Sequence, residues 1–112
     1  MTLGIEREQL DDGVVVVVVH GEVDIRTAPE LRHCLAQVLD GEVKRIVLDL
    51  TDVEFLDSTA LSVMVGAHKR LSKTGEPLVV VAATEPVQRV LSVTGLSRVF
   101  AVHESRHDAL PS

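Results

Sequence analysis

The segment Phe55–Leu61, FLDSTAL, places a carboxylate and two hydroxyls in a row, Asp57, Ser58 and Thr59, with apolar residues on both sides. Three chemistries are open to such a row. Asp57 can cap a helix by accepting hydrogen bonds from first-turn amides that lack a partner, a contribution of about 1 kcal/mol. Ser58 can act as a nucleophile, but a hydrolase would hold it in a G-x-S-x-G elbow with a histidine to take its proton. Here the positions two before and two after are Leu56 and Ala60, and His20 and His68 are distant in sequence. Ser58 can also accept a phosphoryl group, which brings about two negative charges at neutral pH. A helix N-terminus accommodates that charge, and an acidic docking surface does not.

The residues after Ser58 determine how such a hydroxyl is displayed. At about 100° per residue, Ser62, Gly66, Lys69 and Lys73 form a narrow polar stripe. Ala60, Val63, Met64, Ala67 and Leu71 form the face that must be buried. Leu61, Val65 and His68 are left on a flank between the two, which is either additional core or a partner surface beginning at Ser58.

Other candidate chemistry is sparse. His103 and His107 are four apart and could share a helix face, but no third ligand stands at a fixed local spacing, and HESRH is not the zinc-protease pattern. His20, His33 and His68 are isolated and read as ordinary surface or packed side chains. Neither GxxxxGK[ST] nor GxGxxG occurs, so no nucleotide and no cofactor is expected. Cys34, the only cysteine, lies on an apolar helical stripe and is expected to be a small core hydrophobe rather than a reactive thiol.

Composition narrows the partners. The charge of −6 and pI near 5.2 disfavour nucleic acid, which needs clustered Lys and Arg to displace counterions, and fit a basic protein partner, or none, better. Two Phe and no Trp or Tyr leave almost no platform for stacking bases. One cysteine suits a reducing compartment. The longest apolar run, Val14–Val19, is far short of the ~18 residues of a membrane span, and Met1–Gly4 lacks a signal-peptide layout. A soluble cytoplasmic protein, monomeric or weakly dimeric and without enzymatic activity, is expected. Its 112 residues, 1–112, are read as one domain.

The elements that must position these groups alternate in period. Leu3–Leu10 and Val14–Val19 flank Asp11-Asp12-Gly13 and predict a hairpin, whose valine strand should be covered on both faces. Thr27-Ala28-Pro29-Glu30 predicts a helix start with a hydroxyl or small residue as cap, followed by Leu31, Cys34, Leu35, Val38 and Leu39 at helical spacing and a stop at Asp40-Gly41. Strands are predicted over Val43–Leu50, Leu78–Val81 and Val99–Val102, and helices over Ser58–Ser72 and Glu85–Val93. Residues after His107 are expected to fray. The order ββαβαβαβ implies an α/β fold, a mainly parallel mixed sheet with an antiparallel first strand and helices packed on it.

GEVDIRTAPEL (Gly21–Leu31), IVLDLTDVEFLDSTAL (Ile46–Leu61) and VTGL (Val93–Leu96) resemble the anti-sigma factor antagonists of bacteria, whose fold is the STAS domain. The resemblance covers nearly the whole chain. It implies a partner-switching protein: the unphosphorylated form binds an anti-sigma factor that is a serine kinase and so frees the sigma factor. Phosphorylation ends that binding, and a metal-dependent phosphoserine phosphatase restores it. Carried onto this chain, the resemblance makes Ser58 the phosphoacceptor after Asp57, with Thr59 as second choice. Gly21, Glu22 and Asp24 of the neighbouring loop join Asp57, Leu61, Ser62 and Val65 in the partner surface. One departure is Ala60, where the family has glycine; alanine favours helix by up to ~1 kcal/mol but adds a methyl. A constitutive STAS binding module of a lipid-transport or stress-signalling assembly is the alternative.

Overall fold

The computed structural model describes residues 3–110. Five strands lie in the order β1-β2-β3-β4-β5: β1 Gly4–Gln9, β2 Val14–His20, β3 Arg45–Asp52, β4 Val79–Val81 and β5 Ala101–His103. β1 pairs antiparallel with β2, and every later pair is parallel, as the alternation of elements predicts. Between β1 and β2, Asp12 and Gly13 take φ of 62° and 77°, the left-handed pair that a tight hairpin needs and that Asp-Gly supplies.

Because successive strand residues point to opposite faces, the valine run divides between two cores. Val15, Val17 and Val19 join the larger core beneath α1 (Ala28–Asp40) and α2 (Ser58–Leu71). Val14 and Val16 pack with Val47, Val79, Val81 and Ala109 on the other face. Cys34 is buried with the larger core, and burial pushes its thiol pKa up, as befits a packing residue.

Four expectations are corrected. β3 starts two residues later than Val43 and runs on through Thr51 and Asp52, because His20 of β2 pairs in register with Asp52. Val99 is not in the last strand; it closes a turn of 3-10 helix and is 43% exposed, and β5 runs to His103 instead. His103 therefore lies on a strand and His107 on a helix, so they share no helix face. Residues 106–109 do not fray but form α4 (Arg106–Ala109), between α3 (Glu85–Val93) and the C-terminus in chain order. The Ser105 hydroxyl accepts from the Asp108 amide at 3.2 Å, and Arg106 pairs with Glu8 of β1 at 2.8 Å. Burial of Ala109 against the second valine face supplies the apolar contact that holds so short a helix.

Candidate functional site

The chain from β3 to α2 is fastened to the chain from β2 to α1 by main-chain bonds. The Val23 amide donates to the Phe55 carbonyl at 3.1 Å, and the Asp57 amide donates to the Val23 carbonyl at 3.2 Å. These bonds form a single parallel bridge between Val23 and Leu56, both buried. Residues 21–24 are thus brought beside Asp57 and Ser58, although more than thirty residues separate them.

Asp57 completes the junction. Its backbone is extended (φ −99°, ψ −177°), and Oδ1 accepts from the Ala60 amide at 2.9 Å, the bond of a helix N-cap. Its second oxygen, Oδ2, accepts from the Ile25 amide at 2.9 Å. One carboxylate therefore caps α2 and holds the neighbouring loop. Ser58, the first residue of α2, is exposed, while Thr59 is half-buried. Ala60 is fully buried in the larger core, so its methyl packs inward rather than standing at the surface beside Ser58.

The loop before α1 is built differently. Thr27 was expected to cap α1, but its hydroxyl donates to the Glu22 carbonyl at 2.8 Å and accepts from the Asp24 amide at 3.0 Å. Asp24 instead orders the turn that leads into α1: its Oδ1 accepts from the amides of Arg26 at 2.9 Å and Thr27 at 3.2 Å, and its carbonyl accepts from the Ala28 amide at 2.7 Å, while no side chain caps the helix itself. A side-chain bond from Arg26, at 3.0 Å, holds the Asp24 carboxyl below the usual carboxylate pKa. Gly21 opens the loop at φ 110°, a conformation that favours glycine.

The helix flank resolves into distinct roles. All five residues predicted to be buried on α2 are buried. Leu61 and Val65 are half-buried against the larger core. His68 accepts from the Leu78 amide at Nδ1, 3.1 Å away, and meets the Phe100 ring edge-on with centroids 5.6 Å apart, so it anchors α2 to the start of β4. Ser62 is exposed and lines the cleft between α1 and α2.

Two residues of this region were not singled out by sequence reasoning. Ile25 is 71% exposed and Phe55 49%. Ile25 is held through its amide by Asp57, and Phe55 through its carbonyl by Val23, so both apolar side chains are presented on fixed backbone beside the Asp57–Ser58 corner. The available signal was an apolar residue outside any periodic run, next to a polar corner. Around them, residues 21–27 and 52–57 carry five carboxylates, Glu22, Asp24, Asp52, Glu54 and Asp57, against the single cation Arg26. Glu22, Asp52 and Glu54 line an open recess of about 330 Å³ together with Gly21, Thr51 and Thr84. His20 lies at its edge as a strut between strands: Nε2 contacts Glu6 and Nδ1 contacts Asp52, each at 2.9 Å. The bond to Glu6, with Asp52 adding to it, raises the His20 pKa.

Fold and site together define a small α/β module with a helix-capping aspartate before an exposed serine, and comparison with known proteins places it in a family. The STAS domain family model matches residues 7–109, and the chain belongs to that family. An anti-sigma-B factor antagonist of Listeria monocytogenes is 38% identical over 104 residues, covering 91% of this chain and 90% of that protein. An anti-sigma F factor antagonist of Paenibacillus polymyxa is 31% identical, covering 98% and 94%. The crystal structure of an anti-sigma factor antagonist from Mycobacterium paratuberculosis superposes with a TM-score of 0.88 at 34% identity, covering 96% of this chain and 90% of that one. Among the described residues no helix is long and apolar enough to cross a membrane.

Proposed function

We propose that this protein is an anti-sigma factor antagonist, a binding protein rather than an enzyme, controlled by phosphorylation of Ser58. The unphosphorylated form binds an anti-sigma factor serine kinase in the cytoplasm and so frees a sigma factor. The observation that carries this reading is the exposed Ser58 hydroxyl on a first turn that Asp57 ties to the 21–24 loop. The relatives named as antagonists support it.

Docking on this surface uses two kinds of contact. Ile25 and Phe55 are the apolar anchors, and large apolar side chains that become fully desolvated carry most of the energy of an interface. The acidic recess beside Gly21 and Glu22 takes a basic side chain of the partner. Leu61 and Val65 continue the apolar surface down α2, with Ser62 beyond them.

In the switch, the Ser58 hydroxyl oxygen attacks the γ-phosphorus of the kinase's ATP, the bond to ADP breaks, and the hydroxyl proton passes to a base of the kinase. The helix N-terminus tolerates the new dianion. A partner matched to five carboxylates and two apolar anchors does not, because the phosphate takes position where desolvated contact is needed. A phosphoserine phosphatase resets Ser58 by hydrolysis: water attacks the phosphorus, the bond to the serine oxygen breaks and takes up a proton, and inorganic phosphate leaves. With kinase and ATP, one phosphate should be added to the wild type and none to Ser58→Ala; stoichiometric labelling of the Ala variant overturns the assignment and makes Thr59 the acceptor to test. A constitutive binding module would instead form a complex indifferent to Ser58→Glu.

A further inference from the structure

A cleft runs between α1 and α2, beginning one turn below Ser58. Its upper part, about 210 Å³, is lined by Arg32, Leu35, Ser62, Val63 and Gly66 among others. Leu39 and Arg70 also line a second cavity of about 250 Å³ that continues to Val43, Lys73 and Thr74. The floor is apolar and the cleft is open to solvent along its length. A Cβ placed on Gly66 would have no heavy atom within 4 Å, so the cleft is unfilled at that point.

The charge along this cleft runs against that of the whole protein. The chain carries −6, yet Ser58–Thr74 contains Lys69, Arg70 and Lys73 and no Asp or Glu. Arg32, Arg70 and Lys73 line the two cavities, and no acidic residue lines either. Arg70 is paired with Asp40 at 3.0 Å. Arg32 and Lys73 take part in none of the ion pairs among the described residues. Cations at the end of α2 suit the negative pole of a helix, which accounts for Arg70 and Lys73 without any ligand. Arg32 lies near the opposite, positive pole of α1 and has no such account.

We propose that this cleft is a second interaction surface that seats an amphipathic helix of a protein partner. Its apolar edge lies between α1 and α2, and Asp or Glu along its sides meet Arg32, Arg70 and Lys73. A small ligand fits less well, since such ligands are mostly enclosed by their pockets and this cleft is open. From Ser62 to Lys73 the cleft extends for about 16 Å at a helical rise of about 1.5 Å per residue, which is room for about three turns of a docked helix. The apolar anchors of a helix lying in a groove recur at this spacing. The proposal is independent of whether Ser58 is phosphorylated.

The test titrates the labelled 112-residue protein with a synthetic helical peptide of about four turns, Leu along one edge and Glu on both sides, followed by amide chemical shifts. A second peptide has Lys in place of Glu. The Glu peptide should shift the amides of Leu35, Leu39 and Gly66 and bind about tenfold more tightly than the Lys peptide. Gly66→Leu, which fills the open space, should abolish those shifts. The double variant R32E/K73E alters only exposed side chains and should weaken the Glu peptide about tenfold even if Gly66→Leu fails to fold. Ser58→Glu should change nothing. Equal binding of the two peptides, shifts confined to the Ser58 end, or binding to phosphatidylglycerol vesicles in place of the Glu peptide would each overturn the proposal.

Discussion

The two large helices begin at adjacent points and place a hydroxyl there in opposite environments. At α2, Asp57 caps the helix from the position immediately before it and leaves Ser58 exposed. At α1, no side chain caps the helix; Asp24 orders the turn before it, and Thr27 is only 4% exposed, its hydroxyl spent on the Glu22 carbonyl. Both starts read in the sequence as a hydroxyl at a helix N-terminus. The difference teaches that accessibility, not residue type, separates a modifiable hydroxyl from a structural one. Ser58 is open to solvent as the fold stands; reaching Thr27 would require breaking the loop that Thr27 holds together.

The largest effect that could break this contrast is in phosphate uptake. Incubation with the kinase should label Ser58 alone, so that Ser58→Ala reduces incorporation to background and intact-mass measurement finds no phosphate on Thr27. A phosphorylated Thr27 peptide in a digest would show that the α1 start opens in solution. Next is binding: Ser58→Glu should weaken the kinase complex about a hundredfold in calorimetry, because a like charge placed in a desolvated contact costs several kcal/mol. Unchanged affinity would remove the switch from this end of α2.

Stability sharpens the comparison further. Thr27→Val leaves the Glu22 carbonyl and the Asp24 amide without their hydroxyl partner and should cost about 1 kcal/mol in denaturant unfolding, while leaving kinase affinity nearly unchanged. Asp57→Ala loses a cap and the bond to Ile25, with a cost of about 1–2 kcal/mol, and should weaken kinase binding as well because Ile25 is no longer held. If the two variants lose binding in parallel, the two helix starts do not differ in role.

The smallest effect is that of His20, beneath the loop leading to α1. Its pKa is raised in the folded protein, so its contribution is fully present below the ordinary histidine value of about 6.5 and is lost as pH rises through the folded value. The gap in unfolding midpoint between wild type and His20→Gln should therefore be wider at about pH 5.5 than at about pH 8.5. A gap independent of pH would mean that the contacts to Glu6 and Asp52 do not depend on the imidazolium.

Legibility in the sequence followed the range of the interaction. The buried face of α2 was readable residue by residue because helical periodicity repeats within the element. The valine strand and its hairpin were readable for the same reason, through composition and the Asp-Gly turn. The continuation of β3 through Thr51 and Asp52 was not, since polar strand ends are set by the neighbouring strand and not by their own pattern. Neither was α4, whose four residues are too few to show a period and are held by a contact with β1 at the far end of the chain. His20 looked isolated because its partners stand 14 and 32 positions away.

For the candidate site, the sequence by itself determined which hydroxyl follows a capping aspartate and that a helix begins there, because an N-cap bond spans only three residues. Tertiary structure alone decided that the second oxygen of Asp57 serves the Ile25 amide, that Thr27 is buried and Ser58 exposed, and that Ile25 and Phe55 stand beside the serine. The physical reason is the parallel bridge between Val23 and Leu56. It joins two segments that share no local pattern and turns Val23 and Leu56 into the core while Ile25 and Phe55 face out.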